Sequence, residues 1–145
     1  ARARLRQFHE VAMKLTPSDR TTLWATFDYG RQPRAGATPT AAGDGAASWR
    51  GFAVLARHAV TPRVALGGRV EGYSDPEQTI VATGVAPGLR ANGASANVDV
   101  TLHPKALWRT EVRGLRARDP VFPRTAGAER SRTNGVVVTS VALTF

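Results

Sequence analysis

The sequence predicts an all-β fold: part of an antiparallel up-and-down transmembrane β-barrel, about seven strands with short periplasmic turns and longer extracellular loops. Three observations carry that expectation. First, most of the chain alternates apolar and polar residues with period 2, the period of a strand rather than of a helix. Second, three Pro-centred tight turns recur, "LTPSDRTTL" at Pro17, "VTPRVAL" at Pro62 and "LHPKALW" at Pro104. They lie 45 and 42 residues apart, and 41 residues follow the last. Strand, tight turn, strand and long loop thus repeat as one unit. Third, the runs of about 10–12 residues exceed the usual globular strand and match the ~9–11 of a tilted membrane strand. Strict alternation of tight turns with long loops is the asymmetry of outer-membrane barrels.

The elements follow in order. "RLRQFHEVAMKL" leads into the first turn, and "TTLWATFDYG" leaves it with Leu23, Ala25, Phe27 and Tyr29 opposing Trp24, Thr26 and Asp28. In "WRGFAVLARHAV", Phe52, Val54 and Ala56 take the apolar face and Arg57 the polar one. In 64–73, Val64, Leu66, Val70 and two glycines oppose Arg69, Glu71 and Tyr73. In 90–102, Ala94, Ala96, Val98, Val100 and Leu102 oppose Gly93, Ser95, Asn97, Asp99 and Thr101. "LWRTEVRGLRA" and the terminal "VVVTSVALTF" complete the set, the last with Val137, Thr139, Val141, Leu143 and Phe145 on one face. Long connections rich in Gly, Pro and Ala fall at roughly 31–47, 74–89 and 119–133. The apolar faces are small and smooth, with too few large side chains to fill the core of a soluble sandwich. Tyr29, Trp49, Tyr73, Trp108 and Phe145 cluster near strand ends, where an interfacial girdle would lie.

Composition narrows the chemistry. No apolar run approaches the ~20 residues of a membrane helix, and there are no cysteines, so disulfides, Cys-rich zinc sites and thiol chemistry are excluded. The chain opens at Ala1 without Met, which reads as a processed product or a fragment. Seven strands is an odd number, whereas a single-chain barrel normally pairs its first strand with its last. Strands upstream of Ala1, or several chains sharing one barrel, are therefore expected.

Twenty Lys and Arg against 11 Asp and Glu give a formal charge of +9. On the polar face stand Arg6, Glu10, Lys14, Asp28, Arg57, Arg69, Glu71, Asp99, Arg109, Glu111 and Arg113, a nearly balanced set. That many ions would be prohibitive in a dry core and inexpensive around water. The pore-lining candidates are Arg57, Arg69, Glu71, Asp99, Arg109, Glu111 and Arg113, with "RVE" and "RTEVR" setting opposite signs two residues apart on one strand face. The excess of charge lies at Arg2, Arg31, Arg34, Arg90, Arg116, Arg118, Arg124, Arg130 and Arg132, toward loops and rims, where arginines on the outer surface could meet lipid phosphates. Nucleic acid is not expected, since these residues are scattered and no aromatic-basic platform accompanies them.

Catalytic constellations are not evident. His9, His58 and His103 lie far apart, and Ser95 and Ser140 lack a nucleophile elbow. "GDGAAS" (Gly43 to Ser48) lacks the lysine and following helix of a phosphate loop. Asp75, Glu77 and Asp119 in "SDPEQT" and "RDPVFP" read first as turn signals. Neither enzymatic activity, a cofactor nor a metal is expected.

The runs "LWATFDYGRQPR", "WRGFAVLARHAVTPRVALGGRVEGYSDPE", "NVDVTLHPKALWRTEVRGLRARDPVF" and "VVVTSVALTF" resemble the C-terminal half of the OmpL-like beta-barrel porins of Gram-negative bacteria. The family's Arg-x-Glu-x-aromatic-x-Asp strand end is matched by Arg69, Glu71, Tyr73 and Asp75. Its Arg-x-Glu-x-Arg strand is matched by Arg109, Glu111 and Arg113, followed by Asp119, Val121 and Phe122 of "D-x-V-F". Gly72 and Gly114 depart from it, standing where bulkier residues are expected. The resemblance implies that 1–145 is the C-terminal part of a single outer-membrane barrel domain with pore activity, and it supplies no defined solute; the function expected is passive diffusion of small hydrophilic solutes. Tyr29, Tyr73, Trp108 and Phe145 are the interfacial aromatic candidates by their place near strand ends, and the resemblance implies Phe145 as the signal read by the barrel assembly machinery. Partners would be outer-membrane lipid, lipopolysaccharide and solute, with homo-oligomerisation left open. The alternatives are a non-conducting structural or adhesive barrel, and a soluble basic β-domain that binds polyanions.

Overall fold

The computed structural model describes residues 5–34, 45–86, 88–124 and 129–145. Among these residues nine strands run in order: β1 Gln7–Ser18, β2 Thr21–Pro33, β3 Ala46–Ala59, β4 Val64–Asp75, β5 Leu89–His103, β6 Ala106–Ala117, β7 Phe122–Pro123, β8 Arg130–Ser131 and β9 Thr133–Leu143. The seven long strands form one sheet in the order β1-β2-β3-β4-β5-β6-β9, every neighbour antiparallel. This is the up-and-down architecture that the alternating pattern predicts. Among the described residues the sheet is open: β1 and β9 each pair on one side.

The short turns close at one end of the sheet. Between β3 and β4, the Thr61 hydroxyl accepts the N–H of Arg63 at 3.2 Å and of Val64 at 3.0 Å, while Pro62 presets the bend. Between β5 and β6, His103 Nδ1 accepts the Lys105 N–H at 3.2 Å. The first turn differs from expectation. Its tip is Asp19–Arg20, and Pro17 lies inside β1, where the register shifts between Leu15 and Ser18. Proline brings no N–H to the ladder, so an irregularity near a strand end is where it fits.

The long connections gather at the other end. Asp75, the last residue of β4, is fully buried, and its carboxylate accepts the N–H groups of Thr79, Ile80 and Val81 at 2.9, 2.8 and 2.8 Å. The acidic turn signal is thus a backbone cap. The last connection holds an element the sequence did not announce, the two-residue hairpin β7–β8. Arg130 on β8 donates from its guanidinium to the Thr83 carbonyl, tying this hairpin to the β4–β5 loop.

The faces are inverted relative to a soluble sheet. One face carries Val11, Phe27, Phe52, Val54, Leu66, Val70, Val112, Val137 and Val141, all substantially exposed, Val137 at 68%. Among the described residues the buried hydrophobic ones are Ala47, Trp49, Ala53, Ala65 and Ala117, and the register sets all of them on the opposite, charged face. Side chains crowd on the charged face and splay on the apolar one, as in a sheet curved toward its charges. No second layer covers the apolar face among the described residues, so this sheet has no hydrophobic core of the kind a soluble domain requires.

Candidate functional site

All seven pore-lining candidates stand on the charged face. Arg57 (β3), Arg69 and Glu71 (β4), Asp99 (β5), and Arg109, Glu111 and Arg113 (β6) share it by register. Arg6, Glu10, Lys14 and Asp28 lie on the same face toward β1 and β2. Arg6 donates to Gln32 Oε1 at 2.6 Å and sits over the Trp49 ring, and Lys14 sits over Trp24.

Two three-membered charge clusters organise the centre. Asp99 is nearly sealed, its side chain 3% exposed, beneath Arg57 and Arg109 at 45% and 46%. Arg109 holds it in a fork, Nε to Oδ1 at 2.7 Å and Nη2 to Oδ2 at 2.8 Å. That bidentate geometry is the strong form of an Arg–carboxylate pair. Asn97 Nδ2 donates to Asp99 Oδ1 at 2.8 Å, and Arg57 Nε stands 3.6 Å from Oδ2. The second cluster centres on Glu71, which meets Arg69 Nη2 at 2.5 Å and accepts from Arg113 through Nε, at 3.0 Å, and through Nη2.

Small residues make these clusters possible. Arg57 lies opposite Gly67 on β4, and Gly67 lies opposite Asn97 on β5. The guanidinium of Arg57 therefore passes over β4 to reach Asp99. Arg113 likewise reaches from β6 over β5 to Glu71 on β4, across Ser95 and Gly93. A methyl group at Gly93 would come 2.7 Å from Glu71 Oε1 and 2.6 Å from a Leu115 methyl. One added carbon would crowd the bridge.

The electrostatic result is asymmetric. Both carboxylates are sunk, Glu71 at 14% exposure, while the four guanidiniums that cover them face outward. Charges nearly balanced in number therefore present a cationic surface. Arg57, Arg69 and Arg109 border a recess of about 470 Å³ that also takes in Glu111, Trp24 and Thr26. Glu111, opposite Asn97 and Val138, makes no ion pair among the described residues.

The aromatic candidates divide. Tyr29 and Trp108 stand on the apolar face at opposite ends of the sheet, and Trp108 Nε1 donates to Thr139 Oγ1 at 2.8 Å. Phe145 follows β9 on the short-turn side and is fully exposed. Tyr73 is the exception: it falls in phase with Arg69 and Glu71, on the charged face, and its hydroxyl is buried without a hydrogen-bond partner. A period-2 count places it there, and so not in a lipid-facing girdle. Pairing across strands was the part that sequence reasoning missed. Arg–Glu steps along one strand were visible, but Asp99 with Arg109 and Glu71 with Arg113 depend on register. Arg2 and part of "GDGAAS" lie outside the described residues.

The model of the family described as "Putative beta-barrel porin-2, OmpL-like" matches residues 1–145, the whole chain. No curated protein and no solved structure matches the chain.

Proposed function

Since the chain belongs to the beta-barrel porin-2 family, OmpL-like, we propose that it forms wall of an outer-membrane channel for passive diffusion of small hydrophilic solutes. The observation that carries this reading is the pairing of faces. An apolar face with no covering layer among the described residues suits lipid, and a charged face with part-exposed guanidiniums suits a water-filled lumen. In this reading the short turns are periplasmic, the long loops extracellular, and the solute passes over Arg57, Arg69, Arg109 and Arg113. Because their carboxylate partners are sunk beneath them, the lumen favours small anions over cations.

Planar-bilayer conductance of the folded full-length protein tests the reading. Steady current with a reversal potential displaced toward the anion equilibrium is the expected result. Arg69→Glu or Arg109→Glu shifts that potential toward cations, and the shift shrinks as salt screens the wall. A well-folded barrel without current returns the chain to the structural or adhesive alternative. Current with unchanged selectivity removes these arginines from the lumen. The soluble polyanion-binding alternative is disfavoured by the bare apolar face, which no second layer covers among the described residues; a protein that folds without detergent or lipid would revive it.

A further inference from the structure

The apolar face carries a second cationic feature, at the long-loop end. Arg50 lies opposite Ser74, Ser74 lies opposite Arg90, and the Arg118 N–H donates to the Arg90 carbonyl at 2.8 Å. Arg116 stands opposite Asn92, two residues nearer the middle of the sheet. With strands ~4.8 Å apart, Arg50 and Arg90 start from positions about 10 Å apart, with Arg118 one strand further. All four side chains are exposed, and none has an acidic partner among the described residues. They border one groove of about 570 Å³, which continues over the exposed rings of Phe27 and Phe52. Below the rings the surface runs on through Val54 and Val70.

Four unpaired guanidiniums on a lipid-facing surface demand an account. Arginine costs about 2–4 kcal/mol at the middle of a bilayer and little at its edge. Placement beside the long loops is therefore the tolerable one. Their mutual repulsion still calls for an anion, and guanidinium is the side chain best shaped for phosphate. The aliphatic run below the rings, Val54 and Val70, offers nothing to a free phosphate, and a nucleic acid has no hydrocarbon to lay along it. It suits a molecule that has phosphate at one end and hydrocarbon at the other.

We propose that this groove binds a phosphorylated lipid of the outer leaflet, of the lipopolysaccharide type. Its head-group phosphates lie among Arg50, Arg90, Arg116 and Arg118, and an acyl chain runs down over Phe27 and Phe52. The proposal rests on the barrel reading above, which sets this face against lipid and the long loops outside.

The test titrates the full-length protein, folded in detergent and freed of lipid, with three probes read by native mass spectrometry. These are lipid A with both phosphates, the same lipid stripped of phosphate, and inorganic phosphate. Retention of the bisphosphorylated lipid alone is expected. Arg90→Gln/Arg116→Gln weakens it roughly thirtyfold, at about 1 kcal/mol for each of the two basic residues near an anionic head group. Arg90→Lys/Arg116→Lys keeps most of the binding, and Arg63→Gln/Lys105→Gln at the short-turn end leaves it unchanged. Heat-modifiable gel mobility confirms that each variant is folded. Equal binding of the stripped lipid, or wild-type binding by Arg90→Gln/Arg116→Gln, overturns the proposal. Inorganic phosphate bound as tightly would make the groove a free-anion site and overturn it too. Conductance separates the two readings. A protein that holds the lipid but passes no current loses the channel and keeps the groove, and a conducting protein indifferent to phosphate does the reverse.

Discussion

Asp99 is the charge with the most to lose on the charged face. It is nearly sealed, and Arg109 supplies two of its hydrogen bonds in a single fork. Arg109→Gln leaves the carboxylate with Asn97 and with Arg57 at 3.6 Å. Breaking a fully buried pair costs about 3–5 kcal/mol, and with Arg109 close to half exposed the expected loss is about 1–3 kcal/mol. Asp99→Asn/Arg109→Gln removes the stranded charge, so its loss should fall below that of Arg109→Gln alone. Urea unfolding in phospholipid vesicles, followed by gel mobility, reads both. A double variant that loses as much as the two single variants added together would show that the pair is not coupled.

At the scale of the strand, the alternation of faces makes a sharp prediction on β9. Val137 and Val138 are neighbours in sequence, yet Val137 lies in phase with the apolar face while Val138 lies opposite Glu111. Val137→Arg should cost about 2–4 kcal/mol, as arginine does on the lipid side of a barrel at mid-depth. Val138→Arg gains a carboxylate partner and should cost less than about 1 kcal/mol. Vesicle unfolding of the two variants compares them directly, and equal losses would deny the facing. This much was legible in the sequence, because period 2 alone tells Val137 from Val138 and Phe52 from Arg57. The turn residues were legible too, although Pro17 marks a register irregularity rather than the turn tip. Cross-strand partners were not legible, since Asp99 meets Arg109 only after two strands have chosen their register. The hairpin β7–β8 was hidden for a different reason: two residues are too few to show a period. Of the row of Arg50, Arg90, Arg116 and Arg118, the last three were visible only as scattered rim charge and Arg50 not at all, because β3, β5 and β6 must assemble before it becomes a row.

For the molecule as a whole, the open sheet sets the next requirement. Unpaired backbone groups on the outer sides of β1 and β9 would cost several kcal/mol each within hydrocarbon. The barrel reading therefore demands partner strands for both, from further chain or from a second copy. Amide hydrogen exchange of the full-length protein in bilayers should find the outer N–H groups of β1 and β9 protected as well as those of β4. Rapid exchange at those edges would mean that this sheet does not close, and the lumen would lose its wall. Family membership agrees with the closed form.

The two ion pairs that vault over a strand, Arg57 to Asp99 and Arg113 to Glu71, also have a mechanical consequence. A link between adjacent strands ties one seam, whereas a link that skips a strand braces two seams against shear. Together they lash β3, β4, β5 and β6 into a panel. Pulled from Phe145 by a force probe, β9 should peel first, and these four strands should then yield as one event rather than hairpin by hairpin. Gly93→Leu, which crowds Arg113 away from Glu71, should split that event in two.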